Sequence, residues 1–586
     1  MGTGANASGI RGTAIGANST ASTGVSVGLG ATTTTGVSIG NGAGQAGDAG
    51  VAVGTTARAR EATDTAVGNG STVNAANGAA FGANTNITSL SDNGVAIGEN
   101  TTIGGANVIG SDNVTAVGRN IDIVDGVDNA VALGTEANVA ADGGIAIGQV
   151  SEANAVDAIA IGRDVDTDGE RAVGIGLGAD ADGNDSVAIG NANANSANTV
   201  AISNGSTATG TFSTAIGANT NANGLAAIAL GGGELGFQAQ ATADLTVAIG
   251  NGASATTAGA TAFGSTNSNT TTASGLDALA IQGSSASGTN SIAVGVLANA
   301  SQQNAVALGA GAAATNTNAT ALGQSSLASG SGSIAIGDAT STGVNTIAIG
   351  TGAVATASVA IGAGAMASGG GTALGDLAMA NVGTNASAFG RAAQALGNES
   401  VAVGNAALAL GGNSVAMGNN SSAAFANSAA FGANATATRS NQQVFGTASN
   451  TYTMPGITSS DSVSNQSGLL EVATTDAAGN LATDGGDIFN ALARVQAGVA
   501  IAMAIETPEL ASGENFGIRF GWGGFDSFES NANAMGASAI GVLGRDIFRE
   551  GTRLALDGGV GWGWSEFKDY NQSRVLAGRA GLQFTW

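Results

Sequence analysis

The stretch Asp164-Val165-Asp166-Thr167-Asp168-Gly169-Glu170 is the one place in this 586-residue sequence with the spacing of a metal loop. Carboxylates at alternate positions followed by glycine match the first half of an EF-hand, in which hard oxygen ligands wrap a calcium ion. The bidentate acid that closes such a loop would fall at Ile175, and the flanks read as strands rather than helices. A solvated acidic turn is therefore the simpler reading of Asp164, Asp166 and Asp168. Asp180, Asp182 and Asp185 lie one repeat further on, which leaves a weak calcium-dependent surface open.

Composition removes most other chemistry. The chain has no cysteine and no histidine, so disulfides, thiolate or imidazole metal sites and Ser-His-Asp catalysis are excluded. Lysine occurs only at Lys568, so the 98 glycines contain no phosphate-binding G-x-x-x-x-G-K-[ST] loop. Carboxylates paired for glycoside cleavage need a cleft that holds them about 5 to 9.5 Å apart. Here the acids sit on short turns without aromatic platforms for a sugar, since the head aromatics, such as Phe263, Phe389 and Phe431, are almost entirely phenylalanines inside repeats. No catalytic residue and no cofactor is expected, and the chain does not read as an enzyme. A net charge of -25 argues against nucleic acid or anionic surfaces as partners. The amino terminus shows no basic region followed by an apolar core, so no signal peptide is visible.

The elements that carry these residues announce themselves by repetition. Repeat glycines fall at 134, 148, 162, 176 and 190, at 295, 309, 323 and 337, and at 390, 404, 418, 432 and 446, always fourteen apart within a run. Before each of them large apolar residues alternate with alanine, as in Val187-Ala188-Ile189 and Val401-Ala402-Val403. Period two predicts a short strand with one face buried, and the large residues are expected to be the buried filling. A second alternating stretch follows, typified by residues 405–412, before the next glycine- and asparagine-rich turn. Two strands of about five residues and two tight turns make one coil of a narrow parallel solenoid. Alanine and glycine on the other faces are expected to let further chains pack alongside. Low-complexity disorder has no reason to hold this phase.

After Gly446 the pattern stops, and residues 447–486 read as a connector. From Asp487 the spacing predicts a helix over 487–507, with Ile488, Leu492, Val495, Val499 and Ala502 on a coiled-coil seam. Ala493, Ala497, Ala500 and Ala504 form a second stripe of small side chains. Four strands are expected near 515–525, 534–543, 552–564 and 573–586, each about the length that a tilted strand needs to cross a bilayer. Phe516, Ile518, Phe520 and Trp522 share one face of the first, Leu554, Leu556, Val560 and Trp562 one face of the third, and Leu582, Phe584 and Trp586 one face of the last. The opposite faces are rich in glycine. Lipid would meet the aromatic faces, and the alanine stripe would meet the glycines. Four strands cannot close a barrel, and open edges are not viable in lipid. Two copies give a lumen too narrow for helices, whereas three give twelve strands with room for three. A soluble meander with its apolar face on the helix is the competing reading.

The chain resembles the YadA-like trimeric autotransporter adhesins of Gram-negative outer membranes. "SVAIG" and "TIAIG" phrases are similar to that family's head repeat, and residues 489–504 followed by four strands ending at Trp586 are similar to its membrane anchor. The resemblance implies a mainly all-β chain: a head of left-handed parallel β-roll over 1–446, a connector or neck over 447–486, and an anchor over 487–586. It implies a homotrimer that exports its own head through the pore and displays it at the cell surface. It also implies that Phe584 and Trp586 belong to the signal read by the barrel-assembly machinery, and that the head attaches to a host, matrix or environmental surface that the sequence does not identify. A soluble solenoid fibre or an ice-binding rod is the alternative, and "ATTTTG" at 31–36 is too isolated to supply an ice-binding threonine ladder.

Overall fold

A computed structural model of the chain describes residues 2–45, 48–105, 109–233, 237–264, 269–468, 470–527, 530–567 and 573–586. These residues form two compact units, Met1–Thr447 and Ala448–Trp586.

The first unit is a parallel β-solenoid. In a representative coil, a three-residue strand, Val401–Val403, turns at Gly404 into a two-residue strand, Leu408–Ala409. Each strand pairs in parallel with its counterpart one coil on: Val401 with Val415, Ala402 with Ala416, Val403 with Met417, and Leu408 with Ser422. The first strands of the coils, 31 among the described residues and all but two of them three residues long, form one continuous ladder. At about 4.8 Å per step this gives a roll roughly 150 Å long. Nearly all are shorter than the five residues expected, because each coil spends most of its fourteen residues on corners.

Those corners explain the glycines and asparagines. Gly404 has φ +130°, and a side chain there would press on the carbonyl of Gly418 in the next coil. Asn413, Asn427 and Asn441 occupy the left-handed region that asparagine tolerates. Their amides stack, Asn413 donating to Asn427 at 3.3 Å and Asn427 to Asn441 at 3.1 Å.

The faces of the strands are the reverse of the sequence expectation. Ala402, Ala407, Ala409 and Ser400 are fully buried, whereas Val401, Val403 and Leu408 lie on the outside, half-buried. The two ladders of one coil stand so close that little more than a Cβ fits between them. Alanine therefore fills the inside, and the large aliphatics are turned outward. Valine enters the roll at a few places, such as Val139 and Val165, and isoleucine in the second strand where the coil lengthens. Val73, Ile87, Ile103 and Ile123 stack in one inward column, where the repeat glycines spread to 82, 98, 118 and 134.

The second unit opens with short elements: a 3-10 turn at Pro455–Thr458, a helical turn at Ser460–Ser464 and a hairpin of Ala473–Thr475 with Leu481–Thr483. Asp484 then accepts backbone N–H bonds from Ile488, Val472 and Gly486 and so anchors the start of the helix Asp487–Ala504. The helix is three residues shorter than the 487–507 expected. Ile505 leaves helical geometry, and Thr507, next to Pro508, is biased toward extended backbone.

Four long strands follow as an antiparallel meander: Phe516–Ser527, Ser530–Arg545, Arg553–Phe567 and Ser573–Thr585. The first three extend beyond the spans read from sequence, since small residues such as Ala532, Ala534 and Ser565 continue the ladder. Ala493, Ala497, Ala500, Ile501 and Ala504 are the buried residues of the helix. They lie on the glycine face: a side chain at Gly523 would collide with the Ala500 carbonyl, and one at Gly563 with that of Ala497.

Candidate functional site

The acidic turn singled out by its spacing is no EF-hand. Asp164 sits in a left-handed corner 3.5 Å from Arg163, while Asp166–Thr167 is a strand whose partners are Glu152–Ala153. Asp166 also bridges to Asp180, so Glu152, Asp166 and Asp180 form a column of carboxylates on successive coils. Burial, followed by repulsion from Asp168 and Glu152, pushes Asp166 up to about 6. Burial, followed by a hydrogen bond with Asp182, raises Asp180 as well. The Asn154 amide bridges Asp166 at 3.2 Å and Asp168 at 2.8 Å. Among the described residues no group of three acids is placed to hold a metal ion.

One acid that sequence reading passed over is fully buried. Asp64 occupies the inward corner filled by serine at Ser400 and Ser414, and it accepts N–H bonds from Glu61 at 2.8 Å and Gly78 at 3.3 Å. Burial outweighs those bonds and lifts its carboxyl from 3.8 to about 6. The folded chain thus holds the proton more tightly than the unfolded one, so the ionised group opposes folding above pH 6 and ceases to do so as pH falls toward 3.8. Asp64→Ser is expected to raise the melting temperature at pH 7.5 and to leave it nearly unchanged at pH 4. Parallel melting curves across that range check this, and an equal shift at both pH values would contradict it.

The feature that dominates the roll is on its outside. At the third position of the first strand, coil after coil, stand Ile189, Ile202, Ile216, Leu230, Ile249 and Phe263, each registered on the next. All 31 residues at this position are Ile, Val, Leu, Phe or Met. The first position adds Val, Ile and Thr alongside. Monomeric proteins rarely expose contiguous apolar patches beyond a few hundred Å². A two-residue stripe running roughly 150 Å exceeds that several-fold.

The second unit shows the same polarity. Ile488, Leu492, Val495, Val499 and Ala502 form the free face of the helix, away from the sheet. Phe516, Ile518, Phe520, Trp522, Leu556, Val560, Trp562, Leu582 and Phe584 are exposed on the far side of the sheet, and Leu554 is half-buried there. Trp522 packs edge-on against Trp564 with ring centres 5.6 Å apart, and Phe584 lies 5.7 Å from the exposed Trp586. The first and fourth strands each pair on one side only, which leaves two open edges. No helix among the described residues is long and apolar enough to cross a membrane.

Eleven stretches of the first unit match a family profile described as the YadA head domain repeat: residues 1–23, 128–151, 141–164, 168–193, 208–233, 241–267, 286–312, 314–340, 341–365, 382–407 and 409–435. No curated protein matches the chain.

Proposed function

This chain belongs to the YadA-like trimeric autotransporter adhesins, and on that premise we propose that it is a homotrimeric, outer-membrane-anchored adhesin that attaches a Gram-negative cell to a surface without catalysis. The observation that carries the proposal is that most of the large apolar side chains of both units point away from their own chain.

In the head, three rolls bring their outer stripes together, so that Val401 and Val403 meet their counterparts while Ala402 stays inside its own coil. In the anchor, three four-stranded sheets join at their open edges into a twelve-stranded barrel, which leaves no unpaired ladder in lipid. The helix seam at Ile488, Leu492, Val495, Val499 and Ala502 then meets the other two helices on the axis. Phe516, Ile518, Phe520, Trp522, Leu554, Leu556, Val560, Trp562 and Leu582 face lipid. Phe584 and Trp586 at the chain end serve the barrel-assembly machinery as a recognition signal. The head leaves through the pore and stands at the cell surface, where three parallel copies add avidity to weak contacts with a host, matrix or abiotic surface.

Expression in a Gram-negative host with an export leader supplied tests this. The full chain is expected in the outer-membrane fraction, with its head open to added protease and with adherence lost once the head is shaved off. Recovery of the chain as a soluble species would sink the proposal.

A further inference from the structure

The inner face of the four-stranded sheet is built of cross-strand rows, and two of them differ from the others. Beneath the body of the helix the rows read Gly523, Ala534, Gly563, Val575 and then Gly521, Gly536, Gly561, Ala577. The next reads Arg519, Ser538, Gly559, Arg579, and the one beyond it Gly517, Ile540, Asp557, Gly581. Alanine lying on glycine is a smooth contact. It sets how close the helix sits, but it does little to fix the position along the axis.

The polar groups of the two exceptional rows converge on Glu506 and Thr507, where the chain leaves the helix. Arg519 forms an ion pair with Glu506, and the Ser538 hydroxyl donates to the Glu506 carbonyl. The Thr507 hydroxyl donates to Asp557 at 3.0 Å, and the Arg579 guanidinium reaches both the Thr507 hydroxyl and, at 3.3 Å, Asp557. Each of the four strands supplies one group. Gly559 leaves the room they need, since a side chain there would run into Ile505 and Ser538. Asp557 is largely buried, with 12% of its side chain exposed, so its charge depends on Arg579 and Thr507 for partners.

We propose that this four-strand clamp is a latch that holds the helix in axial register inside the barrel once export is complete, and so keeps the pore closed to solutes. The latch rests on the trimeric-anchor reading above. Charge-assisted bonds to a largely buried carboxylate such as Asp557 are among the stronger non-covalent contacts. Their arrangement at the helix end opposes sliding, which the alanine-glycine contact does not. Arg519, Ser538, Asp557 and Arg579 are positioning residues, and Glu506 and Thr507 are what they position. Ser565, which bonds the Ala493 carbonyl, is the counterpart in the first half of the helix.

The test uses the full chain with an export leader in a Gram-negative host, comparing the parent with Arg519→Gln/Arg579→Gln and with Glu506→Gln/Thr507→Val. Trimer in the outer membrane and head display are scored separately from pore closure. Closure is read as the inhibitory concentration of a large antibiotic that the outer membrane normally excludes, and as conductance of the purified trimer in planar bilayers. Losing one charge-assisted contact lowers the ratio of seated to unseated helix roughly tenfold. Both double variants are expected to remain trimeric and displayed, with a lower inhibitory concentration and more frequent openings, and the swap Asp557→Arg/Arg579→Asp is expected to recover closure in part. Variants that are trimeric, displayed and as closed as the parent would overturn the latch. If the arginine variant fails to assemble, the Glu506→Gln/Thr507→Val chain, whose strands are untouched, decides by the same readings. A parent chain absent from the outer membrane refutes the anchor reading, and the latch with it.

Discussion

Aspartate in place of both Ile336 and Ile349 is expected to part the three rolls around these coils while leaving each roll folded and the three chains joined at the anchor. Both residues lie in the outward third position of adjacent coils, and their backbones pair with each other through the parallel ladder. In a single chain they are half-buried, and neither side chain contributes to the closed interior, where Ala335 and Ala348 sit. The ladder would survive the substitutions. At the trimer axis, by contrast, six carboxylates would face one another without partners, each costing several kcal/mol in addition to the burial that is lost. Thr342→Asp/Thr356→Asp, on the exposed side of the same coils, is the matched control and is expected to leave the assembly intact. A single Ile361→Cys, one coil on in the same column of a chain that has no cysteine of its own, reads contact between rolls by oxidative crosslinking, and far-ultraviolet circular dichroism checks that the roll persists. A double variant whose rolls crosslink as readily as the parent's would remove the stripe from the interface.

The second large effect concerns the inside of the roll. Ala355 and Ile103 occupy the same inward place of the second strand in different coils, and both are fully buried. Around Ala355 the interior is Thr346, Ala348 and Ala353, with Ser341 and Ala367 stacked below and above. Leucine there has no space, and overpacking of this kind costs about 1–3 kcal/mol or more. At Ile103, between Ile87 and Ile123, the reverse holds: alanine leaves a hole, at a cost of about 2–5 kcal/mol. Ala355→Leu and Ile103→Ala are therefore each expected to lower the melting temperature and to create a protease-sensitive point, the first among the later coils and the second near residue 100. In a stacked repeat the damage stays with the coil and its neighbours, so limited proteolysis with fragment mapping distinguishes local from global loss. A chain that accepts leucine at Ala355 without change would show the interior to be wider than alanine packing implies.

Much of this architecture is legible in the sequence, and the failures share one cause. The phase of the glycines gives the coil, and the run from Asp487 gives the helix and its alanine stripe. The alternating faces from Phe516 onward give four strands. Period two, however, says only that faces alternate, and large aliphatics read as core because in most proteins they are. The missed signal was the constancy of the middle residue. It is alanine, as at Ala402, Ala416 and Ala348, or serine or glycine, as at Ser26, Ser38 and Gly174, in every described coil but the last, where Val444 ends the ladder, while its neighbours range from alanine to phenylalanine. A position that stays small inside the ladder is a position without room.

The metal-like spacing of Asp164, Asp166 and Asp168 runs over a corner and a strand: Asp164 sits in a left-handed corner, Asp166 in a two-residue strand and Asp168 just past it, which is not the continuous loop of an EF-hand. Arg519, Asp557 and Arg579 were visible as the polar side of their strands. Their convergence on Glu506 and Thr507 was not, because cross-strand register depends on where each turn falls.

The most direct test of the central claim, that outward apolar surface is the surface by which three copies join, is the mass of the full chain extracted from the outer membrane in mild detergent. The expected result is three chains per particle for the parent, and for Ile336→Asp/Ile349→Asp three chains joined at the anchor with their rolls parted around these coils. A parent that runs as a single chain would contradict the account.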